Sequence, residues 1–162
     1  MSKHPKPYVQ VAALFEKVLE EKDGVRSLIR MVDIFTVAIP PAEVMTKMPE
    51  GLSPLVAMQL VVSLKSAGEL VGDYEIQIQL RGPTKTEKPL TVPLTFKEEY
   101  THGVTIKMDV ALGVNNFGDC AFEVLWYDEV LAKIPFTLAQ GPLVEKPTSP
   151  VSPPETDDGA PH

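Results

Sequence analysis

The run 73–80, Asp-Tyr-Glu-Ile-Gln-Ile-Gln-Leu, alternates apolar and polar residues without a break. Tyr74, Ile76, Ile78 and Leu80 fall on one side, and Glu75, Gln77 and Gln79 on the other. Successive side chains of a β-strand point to opposite faces, so this pattern specifies a strand with one buried and one wet face.

The pattern recurs along the chain. Val56, Met58, Leu60, Val62 and Leu64 form a wholly apolar inward set. Leu90, Val92, Leu94 and Phe96 are set against Thr91, Pro93, Thr95 and Lys97. Val104, Ile106, Met108, Val110 and Leu112 are set against Thr105, Lys107 and Asp109. Cys120, Phe122, Val124 and Trp126 come next, then Ile134, Phe136 and Leu138 after a turn around Asp128 and Glu129. Pro93 has no N–H to give a ladder, which places 90–97 at a sheet edge or a bulge. Gln77 and Gln79 lack the lysines or proline that guard an edge, so 73–80 belongs in mid-sheet.

The N-terminal third carries two signals. Val11, Leu14, Phe15, Val18 and Leu19 have helical spacing. Asp23-Gly24 is a hairpin turn signal, and 25–37 is rich in Val, Ile and Phe. Two strands, 8–19 and 25–38, joined by a hairpin are preferred to a helix. With these, about eight short strands predict an all-β, antiparallel, immunoglobulin-like β-sandwich.

A chain of 162 residues with 44% hydrophobic content suits one domain with a sizeable core. The expected division is a flexible arm over 1–7, the sandwich over 8–141, and a disordered, Pro-rich acidic tail over 142–162. The net charge of −7, with both signs interspersed, argues against nucleic acid and anionic membranes as partners. No apolar stretch follows Lys3 and Lys6 as in a secretion signal, and no run is long enough to span a membrane as a helix. Cys120 is the one cysteine, which fits a reducing compartment. A cytoplasmic location is the expectation.

Reactive constellations are sparse. The sequence has no nucleophile elbow, dinucleotide fingerprint, P-loop or H-E-x-x-H motif. His4 and His162 lie in the arms, and His102 reads as a turn residue, so no metal site is expected. Cys120 follows Asp119, which disfavours a thiolate, and reads as a packing residue. Asn115 and Asn116 read as an ordinary turn rather than calcium ligands. No catalytic residue and no cofactor is expected.

Three stretches resemble an uncharacterised, domain-of-unknown-function family of small, mostly bacterial β-sandwich proteins. They are 20–33 (Glu-Glu-Lys-Asp-Gly-Val-Arg-Ser-Leu-Ile-Arg-Met-Val-Asp), 72–83 (Gly-Asp-Tyr-Glu-Ile-Gln-Ile-Gln-Leu-Arg-Gly-Pro) and 117–138, which opens Phe-Gly-Asp-Cys. The resemblance implies a sandwich and strands over 8–19. It brings no activity, cofactor or catalytic residue.

The functional expectation is a non-enzymatic module that works by protein contact, as an accessory subunit or homo-oligomer. Two contact surfaces are singled out. One is the long connection 39–54, where Val44, Met45 and Met48 lie between prolines and offer adaptable apolar contacts. The other is an unprotected sheet edge, with Pro93 marking one rim. The alternative is a sandwich that binds a small ligand or carbohydrate through Tyr100 or Tyr127, aromatics placed near turns.

Overall fold

A computed structural model describes residues 5–38, 53–66, 68–98 and 103–142. They form nine strands: β1 (Tyr8–Glu20), β2 (Arg26–Met31), β3 (Ile34–Val37), β4 (Leu55–Lys65), β5 (Gly72–Arg81), β6 (Leu90–Phe96), β7 (Val104–Gly113), β8 (Gly118–Trp126) and β9 (Glu129–Gln140). One sheet has the order β2-β1-β4-β7 and the other β3-β9-β8-β5-β6. No helix among the described residues is long and apolar enough to cross a membrane.

The two sheets pack face to face as a β-sandwich. The order β1-β4-β7 opposite β9-β8-β5 is that of strands A, B, E and G, F, C in the immunoglobulin-like arrangement. The core is built from the alternating sets. Leu60, Val62, Leu64, Ile76 and Val124 are almost completely buried, and Phe96, Phe122, Trp126, Ile134, Phe136 and Leu138 close around them. Phe122 stacks on Phe136 with ring centroids 5.5 Å apart, joining β8 to β9 inside the core. At about 1.5–3 kcal/mol for each large side chain removed from water, this core dominates the stability of the domain.

The run 73–80 lies in β5, between β8 and β6, and Pro93 lies on β6 at the sheet's edge. Both placements match the sequence. Glu75 faces Pro93 across the β5–β6 ladder.

The N-terminal third departs from the sequence reading in one respect. There are nine strands because 25–38 is two strands in different sheets. Val32 N–H still donates to Leu14 C=O of β1 (2.9 Å), while the carbonyl of the next residue, Asp33, accepts from Thr137 N–H of β9 (2.8 Å). The chain thus changes sheets between adjacent residues. β3 then runs parallel to β9, the one parallel pair among the described strands.

β1 is a strand throughout, and its helix-like stripe has a tertiary cause. Leu14 enters the main core. Val11, Phe15 and Val18 pack instead with Val61 and Ala13 in a second cluster. Val18 N–H also donates to the side-chain carbonyl of Gln59 on β4. β1 therefore needs apolar residues for two separate clusters, and a register shift between Val9 and Val11 further breaks its alternation.

Candidate functional site

Two regions outside the core combine exposure with chemical definition: the edge of β7 that is free of any other described strand and the outer face of the five-stranded sheet.

β7 is a 10-residue strand at the end of its sheet. It pairs with β4 from Leu64↔Val104 to Leu55↔Gly113. Just beyond the ladder, Val114 N–H donates to Pro54 C=O (2.8 Å). In an antiparallel ladder the residues that exchange hydrogen bonds with one neighbour alternate with residues that face the other way. Val114 faces β4, so Leu112, Val110, Met108, Ile106 and Val104 face it too. The N–H and C=O groups of Thr105, Lys107, Asp109 and Ala111 therefore point out of the sheet.

No described strand meets those groups. The side chains of β7 add two stripes. Ile106, Met108, Val110 and Leu112 pack against the core yet stay half-buried, because nothing described lies beyond them in the sheet. Lys107 and Asp109 are exposed on the opposite face. Asp109 Oδ1 accepts from Gln59 Nε2 at 2.5 Å.

On the outer face of the other sheet, Asp73, Glu75 and Gln77 of β5 and Pro93 of β6 line an open groove of about 650 Å³, which Tyr127 and the core-facing Tyr74 complete at its end. Tyr127 occupies the β8–β9 turn with φ 53°, a left-handed conformation that a bulky residue rarely adopts. Its ring packs edge-on against Trp126, centroids 5.4 Å apart, and is about half exposed. Trp126 in turn lies 5.2 Å from Tyr74 and donates its indole N–H to Pro5 C=O (3.2 Å). Lys6 pairs with Glu129 beside the same turn. The turn is thus fixed on both sides.

Further along this face, Arg81 Nε lies 2.6 Å from Glu123 Oε2. Glu123 is 6% exposed, one of two buried polar residues among those described. In the ladders it lies between Gln79 and Lys133. A second groove, of about 490 Å³, opens beside the pair and includes Asp33, Asp119 and Thr137. Thr137 Oγ1 donates to Asp119 Oδ1 at 2.9 Å. Sequence reasoning missed Glu123 because it occupies an ordinary outward position between Phe122 and Val124; its burial comes from its neighbours.

Cys120 is buried in the core. Burial, and then the charge of Asp119, pushes its thiol above the ordinary value. A protonated, enclosed thiol is a poor nucleophile and a packing group, as its place in the alternation suggests. Among the described residues no cluster of three His, Cys, Asp or Glu side chains is arranged to hold a metal ion.

The structure brings Pro93 and Tyr127 into one groove, although the sequence raised them for different reasons. Val44, Met45 and Met48 lie outside the described residues, as do Tyr100 and His102. No family model and no curated protein matches the chain, so the resemblance to the uncharacterised family rests on the three quoted stretches alone. Among solved structures, the chain is similar to a β-glucosidase from Listeria innocua at 11% identity and a TM-score of 0.37. That alignment covers 82% of this chain and 17% of the enzyme's.

Proposed function

We propose that this protein is a non-enzymatic β-sandwich module that acts by contact with other proteins, with a sheet edge as its contact surface. The free edge of β7 supports this reading. A long strand with unsatisfied backbone donors and acceptors is a template for strand addition, and natural edges are otherwise shortened, bent or covered. The other sheet contrasts with it, since β6 carries Pro93 and β3 has 4 residues.

Lys107→Pro tests the reading. It removes an N–H that points out of the sheet and so leaves the β4–β7 ladder intact, as Pro93 is accommodated on β6. The full chain should capture a protein that the variant does not, at equal thermal stability. Capture that is indifferent to Lys107→Pro would overturn the edge as the contact surface.

A second reading, small-ligand or carbohydrate binding, is favoured by the groove that joins Tyr127 to Asp73, Glu75 and Gln77. An aromatic face beside carboxylates and an amide suits a polyhydroxylated ring, and side chains in strained backbone often mark binding sites. A saccharide-induced thermal shift abolished by Tyr127→Ala would support it; a flat response across a sugar panel would remove it.

A further inference from the structure

We propose that the partner of the β7 edge is a second copy of this chain, joined antiparallel, β7 to β7, about a two-fold axis at Met108. This rests on the reading of β7 as a contact surface and names its occupant.

Backbone parity restricts the register. The outward-facing backbone groups belong to Thr105, Lys107, Asp109 and Ala111, as the bond from Val114 to Pro54 establishes. An antiparallel partner must match outward-facing residues with outward-facing residues. Among symmetric pairings near the middle of the strand, that leaves three centres: Lys107, Met108 and Asp109.

Charge then selects one. Centring on Lys107 sets Lys107 opposite its own copy, and centring on Asp109 does the same for the carboxylate. Like charges directly opposite in a sheet are unfavourable. Centring on Met108 sets Lys107 opposite the second copy's Asp109, and by symmetry Asp109 opposite the second copy's Lys107. Thr105 then meets Ala111. A lone lysine on an edge discourages pairing; with an aspartate two residues on, it selects a register instead.

The apolar stripe agrees with this register. Met108 would face its own copy at a non-hydrogen-bonded position, where opposed side chains come closest. Ile106 would face Val110, and Val104 would face Leu112. All five are half-buried core-facing residues of the edge strand, and a second copy would extend the apolar layer that β7 leaves open. Asp109 Oδ1 is engaged by Gln59, which holds the carboxylate on the outer face where Lys107 of the second copy would arrive.

The test is sedimentation equilibrium of the full chain across a concentration series. The wild type should form dimers. Lys107→Asp and Asp109→Lys should each weaken self-association by about tenfold or more, because each sets like charges opposite one another. Mixed together, the two variants should associate with each other, since one strand is then doubly acidic at these positions and the other doubly basic. The double swap, K107D with D109K, should dimerise again. Unchanged thermal melts of the single variants show that the fold is intact. A wild type that stays monomeric overturns the inference, as does a mixture that fails to associate. A monomer that still captures a different protein through a Lys107→Pro-sensitive contact overturns the second copy but leaves the interaction reading standing. A monomer with no such capture overturns both.

Discussion

Arg81 Nε lies 2.6 Å from Glu123 Oε2, and of the two side chains only Glu123 is buried: it is 7% exposed against 52% for Arg81. The pair is therefore asymmetric. Glu123 has given up most of its hydration, while Arg81 keeps half of its own. Removing the arginine leaves a nearly buried carboxylate without its partner, whereas removing both charges leaves a site that apolar groups can fill.

Arg81→Met should accordingly destabilise the domain by about 2 kcal/mol, less than for a fully buried pair because solvent already screens Arg81. The double variant R81M/E123L should recover most of that loss. Urea denaturation of the two variants and the wild type measures both quantities. A double variant no more stable than Arg81→Met would show that the pair contributes more than the desolvation of its carboxylate.

Cys120 supplies a pH dependence with a definite sign. Burial first, and Asp119 second, raise its thiol above the ordinary 9.0. The folded state thus holds the thiol proton at pH values where the unfolded chain releases it. The stability linked to Cys120 is complete below about pH 9 and is lost as pH rises from there through the raised folded value. Cys120→Ala should be less stable at neutral pH, from the lost packing, but should lose less stability than the wild type as pH rises above about 9. Parallel pH slopes would refute this. In the same protein a disulfide reagent at pH 8 should label Cys120 quickly only after denaturation.

Tyr127 tests the strain in the β8–β9 turn. Tyr127→Ala and Tyr127→Gly both remove the ring from Trp126, but only glycine relieves the left-handed backbone at φ 53°. The glycine variant should be more stable than the alanine variant by about 1 kcal/mol in chemical denaturation. Equal stabilities would mean that the turn relaxes once the ring is gone.

How far the sequence announces this fold depends on whether a residue answers to one neighbour or to several. The alternation of β5, the inward sets of β4 and β8, and the edge marked by Pro93 follow from a local rule, so they could be read directly. The division of 25–38 could not. Val32 and Asp33 bond to different sheets, yet no glycine or proline marks the switch. The helix-like spacing from Val11 to Leu19 has the same origin, because β1 supplies Leu14 to one cluster and Phe15 and Val18 to another. The proposed contact surface is half legible. The alternation of 104–112 sets Lys107 and Asp109 apart from the apolar stripe, but the edge that the sequence marks is Pro93 on β6. Placing β7 at the end of the other sheet takes the strand order, and the direction of its backbone groups takes the ladder's parity. Glu123 gave no signal, since its burial depends on Arg81 and on the strands beside it.

Two glycines with nearly the same backbone separate conformational strain from close approach. Gly24 has φ +81° in the β1–β2 turn, and a Cβ added there meets nothing within 4 Å. Gly103 has φ +77°, and a Cβ there would lie 1.9 Å from Leu64 C=O. The left-handed backbone penalises alanine about equally at both sites, by about 1 kcal/mol. Only Gly103 adds a collision with backbone, at the point where the chain enters β7 beside the end of β4. Gly24→Ala should therefore cost about 1 kcal/mol, and Gly103→Ala about 3 kcal/mol or more. Equal costs in urea denaturation would show that the entry to β7 yields, and that Gly103 serves its backbone angle alone. A large difference would mean that β7 is held against β4 from its first residue, leaving its other edge as the side on which a further strand can be added.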